Sequence, residues 1–448
     1  MLKPIFVADI LDDLFSYLRF ASISADPQYK DQLEACADWL VQRFGRAGLA
    51  AHKHPTAGAP IVVAKSPLQP DRKTVLIYGH YDVQPADPLE LWNSPPFEPV
   101  VRNARVFARG AADNKGQLLP HLVGVELALK ENALPVNVIF VVEGEEESGS
   151  RNLGGFLEEQ KAALRSDIAV ISDCPMIAPD NPTLVYGARG IVCLEVTLTG
   201  PGADLHSGLF GGLIANPANT LVRLLSGMVT DSGEIGIPGF YDRVQPIEAW
   251  ERELWTTLPV SDAGWLELTG SPELSGENGF SSLERIWTRP TLDINGLNSG
   301  YTGAGPKTIV PSRASAKISF RLVPDQDPDE IRALVKQHLI DHCPGSVRMM
   351  ITDHHQGRPY LLTPNSPFAL AAKKALEGSF DRPAAMVRLG GTLPILQALK
   401  DSLGIDTLLV GLEWMDCQIH SPNENFPIKN LALGVEMNRR LLAELATL

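Results

Sequence analysis

Several apolar runs in this chain end in residues that bind metal ions. The run 74–79 leads into His80, Tyr81 and Asp82. The run 136–142 leads into Glu143, Gly144 and then Glu145, Glu146 and Glu147. The run 167–172 leads into Asp173, and the run 406–411 precedes a loop that holds His420. Short β-branched runs of this kind read as buried strands of a parallel sheet. Open α/β sheets place their chemistry beyond the carboxyl ends of such strands. Two histidines and three carboxylates, with further carboxylates to spare, match a site where one carboxylate bridges two divalent ions. Mixed imidazole and carboxylate ligands suit zinc, with manganese or cobalt as alternatives.

Taken singly, each residue has a plainer reading. A His-x-Asp triplet is common by chance, although a carboxylate beside a ligand histidine also has a physical sense, because it orients the ring. Asp113 stands in a glycine-flanked loop before a helix, where an aspartate is most often an N-cap. Adjacent acids at Glu143 to Glu147 would be unremarkable in a solvated loop. At the end of a fully apolar strand they repel one another unless cations are present. The conjunction of these residues carries the reading.

The elements that must position them follow from patterning. Residues 9–48 read as helix. Strands are expected at 60–65, 74–79, 136–142 and 167–172. An amphipathic helix is expected at 115–131 and another near 152–164. This is a doubly wound α/β pattern with a mostly parallel sheet. Near 188 the character changes. A strand with one wet face is expected at 190–199, and further strands at 314–323 and 346–352. Helices begin at Pro217 and Pro328, with Asn216 and Asp327 as N-caps. Residues 230–290 read as irregular. Two strand–helix–strand units suggest a small α+β domain, 189–356, inserted into a catalytic domain made of 1–188 and 357–448. Helices at 366–378 and 428–446 close the chain.

Composition sets the class. The chain has 448 residues, too many for one ordinary core. A hydrophobic content of 44% with 21% charged residues is that of a globular protein. A net charge of −14 and the lack of a basic stripe disfavour nucleic acid. No run is long enough to span a membrane. The N-terminal segment 1–15 has acids inside its apolar part, which argues against a signal peptide. The five scattered cysteines fit reduced thiols of a cytoplasmic protein.

The residues also match a known family. The chain resembles the two-zinc metallopeptidases that include glutamate carboxypeptidase, acetylornithine deacetylase, succinyl-diaminopimelate desuccinylase, aminoacylase and carnosinase. It is most similar to the cytosolic non-specific dipeptidase and carnosinase branch. The similarity rests on YGHYDVQPADPLELWNSPPFEP (78–99), RGAADNKGQ (109–117), EGEEESGS (143–150), DLHSGLFGG (204–212), NPANTL (216–221), KTIVPSRASAKISFRLVPDQDP (307–328), RLGGTLPI (388–395) and HSPNEN (420–425).

The resemblance implies one ion held by His80, Asp173 and a bridging Asp113, and a second held by Glu147, His420 and the same Asp113. Asp82 would orient His80, and Glu146 would be the general base. The run of three glutamates allows two registers. Aligning on Ser148-Gly149-Ser150 selects Glu146 and Glu147 and leaves Glu145 a bystander. The resemblance also implies a cis peptide between Asp113 and Asn114, and substrate contacts from His206, Arg321 and Thr392. Asn295 stands where some of these dipeptidases carry a histidine.

The expected activity is metal-dependent hydrolysis of the amide bond of dipeptides, in which Glu146 takes a proton from a water between the ions. The alternative is an N-acyl-amino-acid deacylase on the same scaffold. The expected substrate is a small peptide or an N-acyl amino acid. The expected assembly is a homodimer through the inserted domain, with His206 reaching into the partner's site.

Overall fold

A computed structural model describes residues 4–448, so the first three residues of the N-terminal segment lie outside the description. The chain divides into two compact units. One comprises Met1–Tyr186, Leu362–Val387 and Ala398–Leu448, and the other Gly187–Leu361 and Arg388–Gln397. Residues 388–397, which the sequence places with the catalytic part, group with the second unit.

The first unit opens with helices α1 (Pro4–Leu18) and α2 (Lys30–Arg46) rather than one helix over 9–48. The break runs over residues 19–29, and within it the Asp26 carboxylate caps a short turn of 3-10 helix at Pro27–Tyr29. Strands β1 (Ala50–His54), β2 (Ile61–Lys65) and β3 (Thr74–His80) follow, then α3 (Lys115–Lys130), β4 (Asn137–Glu143), α4 (Leu153–Glu159), β5 (Ile168–Ile171) and β6 (Thr183–Ala188). Helix α3 is buried on nearly every face, not amphipathic as its sequence suggests. It packs on β3 and against α1. An all-round buried helix needs small residues where neighbours approach. At Gly116 an added Cβ would lie 2.0 Å from the Ala111 carbonyl oxygen.

The second unit contains β7 (Gly190–Thr199), α5 (Pro217–Ser226), α6 (Ala249–Trp255), α7 (Ser282–Thr288), β8 (Thr291–Ser299), β9 (Arg313–Leu322), α8 (Pro328–His342) and β10 (Arg348–Gly357). Its sheet runs β8-β9-β7-β10, and each pairing is antiparallel. Val192, Leu194, Val196 and Leu198 point to one face, where α5 and α8 pack. Asn216 and Asp327 cap those two helices as expected, each accepting two backbone N–H bonds. The segment 230–290 is not irregular throughout. Helix α7 is nucleated by a capping box in which Ser281 and Glu284 bond reciprocally. Helix α6 has the same device between Glu248 and Glu251.

The chain then completes the first unit with α9 (Pro367–Phe380), β11 (Thr407–Gly411) and α10 (Ile428–Leu445). The sheet of this unit includes the run β1-β2-β4-β3-β5-β11-β6. At its centre β4, β3, β5 and β11 are parallel. These strands are buried along their length, as parallel strands covered on both faces must be. All four point their carboxyl ends the same way, so His80, Glu143, Asp173 and the loop after Gly411 share one edge.

Candidate metal centre

His80 is the last residue of β3 and is fully buried. Its Nδ1 lies 3.1 Å from the Asp82 carbonyl oxygen and 3.3 Å from Asp82 Oδ1. A proton on Nδ1 satisfies those acceptors and leaves a lone pair on Nε2. Nε2 has no hydrogen-bond partner, yet it lies 3.0 Å from Asp113 Oδ1 and 3.8 Å from Asp173 Oδ1. A lone pair facing two carboxylate oxygens is repulsive unless a cation stands between them. That donor set fits a divalent ion.

Asp113 faces two ways. Its Oδ1 is turned to His80, and its Oδ2 is 2.9 Å from His420 Nε2. Glu147 Oε2 is 3.3 Å from the same His420 nitrogen. Two groups that could each hold an ion result, His80 with Asp113 and Asp173, and Asp113 with Glu147 and His420. Asp113 belongs to both, as a bridging carboxylate must. The Asp113–Asn114 peptide is cis.

The backbone around Asp113 is held by a residue the sequence reading passed over. The buried Glu424 carboxylate accepts from the N–H groups of Gly110, Ala112 and Asp113 and from Arg109 Nη1, at 2.8 to 3.0 Å. Burial pushes the Glu424 carboxyl up, and the Arg109 guanidinium pulls it back. Its place in HSPNEN, four residues after His420, was the available signal. Asn114 Nδ2 donates to the Ser172 carbonyl and, at 3.0 Å, to Asp173 Oδ1. Gln84 Nε2 donates to Glu147 Oε2 at 2.8 Å.

Asp82 has a second task beside orienting His80. Its two oxygens accept from the N–H groups of Glu146 and Glu147, at 3.2 and 3.0 Å. One carboxylate thus ties the loop after β4 to the loop after β3. Glu143 anchors the same loop through Tyr78 and Ser150, and burial raises its carboxyl to about 7. Glu145 turns elsewhere. It accepts from Asn152 Nδ2 at 2.6 Å and packs so closely on Gly58 that a Cβ there would collide with it.

Asp82, Asp113, Glu146, Glu147 and Asp173 stand together here, and among the described residues none of them pairs with a lysine or arginine. Burial is the largest influence on Glu146 and raises its carboxyl well above the usual range. The Asp173, Asp113 and Glu147 charges add to this, and His80 opposes it. Burial also raises Glu147 and Asp173. Burial alone would raise Asp113, but the His420 and His80 imidazoles overcome it and hold the carboxyl far below its ordinary value. Asp113 and Glu147 together push His420 up to about 10. His420 itself is exposed and lies in a loop where Gln418, His420 and Asn423 all have positive φ. Three non-glycine residues in that region over six positions mark a backbone held against its preference, a common property of ligand-bearing loops.

The residues expected to contact substrate lie in the second unit. Arg321 on β9 donates from Nη1 to Thr392 Oγ1 at 2.9 Å. His206 is exposed in a two-residue strand that pairs with Ile309–Val310, and its Nδ1 accepts from the Gly208 N–H at 3.0 Å. That bond leaves Nε2–H free to donate. Asn295 is the extra residue of a β-bulge in β8 and is exposed.

Comparison with known proteins decides the family. Residues 76–444 match the model of peptidase family M20/M25/M40. The chain belongs to that family and is a metallopeptidase. The M20 relatives include the Cys-Gly metallodipeptidase dug1 of Schizosaccharomyces pombe, 32% identical over 95% of this chain and 93% of its own length. The Beta-Ala-His dipeptidase of Homo sapiens is 31% identical over 87% of this chain and 78% of its own. Among solved structures, the M20 family metallo-carboxypeptidase Sso-CP2 from Sulfolobus solfataricus superposes with a TM-score of 0.87 and 33% identity, covering 98% of this chain and 99% of that one. Among the described residues no helix is long and apolar enough to cross a membrane.

Proposed function

We propose that this M20 peptidase hydrolyses the amide bond of dipeptides at a centre of two divalent ions. The observation that carries the reading is Asp113, shared between two groups that could each hold an ion. His80, Asp113 and Asp173 would hold one ion, and Asp113, Glu147 and His420 the other. Zinc fits the imidazole and carboxylate donors best. Such a pair polarises a carbonyl and acidifies water, the chemistry that amide hydrolysis needs.

The chain's own residues supply the proton transfers. Glu146 is raised by burial and by the neighbouring carboxylates, as befits a base that takes a proton and then delivers it. Its backbone N–H is fixed by Asp82, so its carboxylate has a defined origin. In this reading the water proton moves to Glu146 and then to the leaving amine. Arg321 and Thr392 receive the substrate carboxylate, for which a guanidinium fork is well shaped. His206 Nε2–H stabilises the oxyanion.

Dipeptides are favoured over N-acyl amino acids by the names of the relatives, Cys-Gly and Beta-Ala-His. We also infer a homodimer through the second unit, with His206 acting on the partner's centre, and a cytoplasmic setting consistent with five free cysteines. The test is a hydrolysis screen of dipeptides against N-acetyl and N-succinyl amino acids, with and without chelator. Chelator-sensitive turnover of dipeptides is expected. Turnover confined to N-acyl substrates, or unaffected by chelation that strips the metal, would overturn the reading.

A further inference from the structure

Two arginines of the second unit form no ion pair among the described residues. Arg189 stands just before β7, and Arg321 lies on β9 opposite Ile191. Both guanidiniums reach the same turn, Arg189 through the Gly390 carbonyl and Arg321 through the Thr392 hydroxyl. Among the described residues neither forms an ion pair, and the hydrogen bonds of both go to neutral groups.

Arg189 is half-buried and uses its fork on the backbone. Its Nε donates to the Gly390 carbonyl at 2.8 Å, and its Nη1 to the Arg289 carbonyl at 3.3 Å. Its own N–H donates to the Leu389 carbonyl at 3.1 Å. Among the described residues Nη2 forms no hydrogen bond. Gly390 is pressed against this arrangement, since a Cβ there would sit 3.0 Å from the Ile286 carbonyl oxygen and 3.3 Å from Arg189 Nη2. Two residues on, Thr392 Oγ1 accepts from Arg321. Burial, with the Arg321 charge acting in the same sense and Asp293 opposing, lowers Arg189 to about 10. Partly buried like charges without a counterion are unfavourable, and an anion beside them relieves the cost.

We propose that Arg189 is a positioning residue for the substrate carboxylate, clamping the 389–392 turn that carries Thr392 and adding its charge to that of Arg321. The proposal rests on the reading of Arg321 and Thr392 as the carboxylate contacts. It assigns two jobs to one side chain. The fork sets the turn, and the charge strengthens the seat for an anion. A lysine keeps the second job and loses the first.

The experiment compares a dipeptide with its C-terminal amide as substrates for the metal-loaded enzyme and for Arg189→Met, Arg189→Lys and Arg321→Met. Melting temperature and bound metal are measured for each. Arg321→Met should abolish the preference for the free acid. Arg189→Met should raise KM for the acid roughly tenfold, the scale of one charge-assisted hydrogen bond. It should change kcat less than about threefold and leave KM for the amide nearly unaltered. Arg189→Lys should fall between Arg189→Met and the parent enzyme, and it decides the question if the methionine variant does not fold. Equal effects on acid and amide, or a fall in kcat alone, would make Arg189 a merely structural residue and overturn the inference. If Arg321→Met loses the acid preference while both Arg189 variants keep it, only this inference fails. If Arg321→Met itself keeps the preference, the carboxylate reading of Arg321 fails and takes this one with it.

Discussion

Acid should weaken the first unit through one buried histidine that takes no part in chemistry. His121 lies in α3 and is buried. Its Nδ1 accepts from Asn438 Nδ2 at 2.9 Å, so its proton sits on Nε2, which meets Ser172 Oγ at 2.8 Å. A second proton would break the bond to Asn438 and place a charge in a dry site. Burial accordingly lowers the imidazole from 6.5 to about 4. The folded state binds this proton less readily than the unfolded one. The stability it protects is therefore complete above about pH 6.5, is lost as pH falls towards 4, and falls no further once both states are protonated. Between pH 7 and pH 5 the loss from this residue alone is about 2 kcal/mol, from 1.36 kcal/mol per pH unit across the window below 6.5. His121→Gln removes the titration. Urea unfolding of both proteins at pH 7 and pH 5 isolates the effect, because the titrations of the carboxylates and metal ligands are common to the two and cancel. The parent should lose about 2 kcal/mol more than the variant over that interval. Equal losses would refute the burial argument.

Two further outcomes are expected at the centre. Glu146→Gln should keep its metal and lose two or more orders of magnitude in kcat, roughly, whereas Glu145→Gln should stay within a few-fold of the parent because Asn152 already holds that carboxylate. Metal content and kcat measured together check this, and the reverse pattern would shift the register of the glutamate run by one. If His206 acts across a dimer, inactive His206→Ala and inactive Glu146→Gln proteins should regain activity once their subunits exchange. Exchange verified by mass, with no recovery, would place His206 in its own chain's chemistry or outside it.

Much of the centre could be read from residue types and spacing. His80, Asp173 and the glutamate run announce themselves because apolar strands end in them, and a strand end in an open parallel sheet is where ligands are carried. Caps were equally legible. Asn216-Pro217 and Asp327-Pro328 start their helices as read, since an N-cap interaction is local and spans two or three residues. The helix over 9–48 was misread for a related reason. Its apolar spacing resumes beyond the break at residues 19–29, where Asp26 and Pro27 start a new turn of helix. Within 230–290, capping boxes at Glu248 and Ser281 outrank a composition rich in glycine and proline.

What the sequence determined by itself was the donor set and the family pattern. The tertiary structure alone decided how those donors are held. Glu424 grips the Asp113 loop from 311 residues away, Asp82 spans 64 and 65 residues to fix Glu146 and Glu147, and Arg189 reaches 201 residues to Gly390. No local preference encodes such bonds, because each partner is an ordinary acid, amide or carbonyl in its own segment. They become specific only when the sheet brings separate strand ends to one edge and burial leaves each polar group with a single available partner.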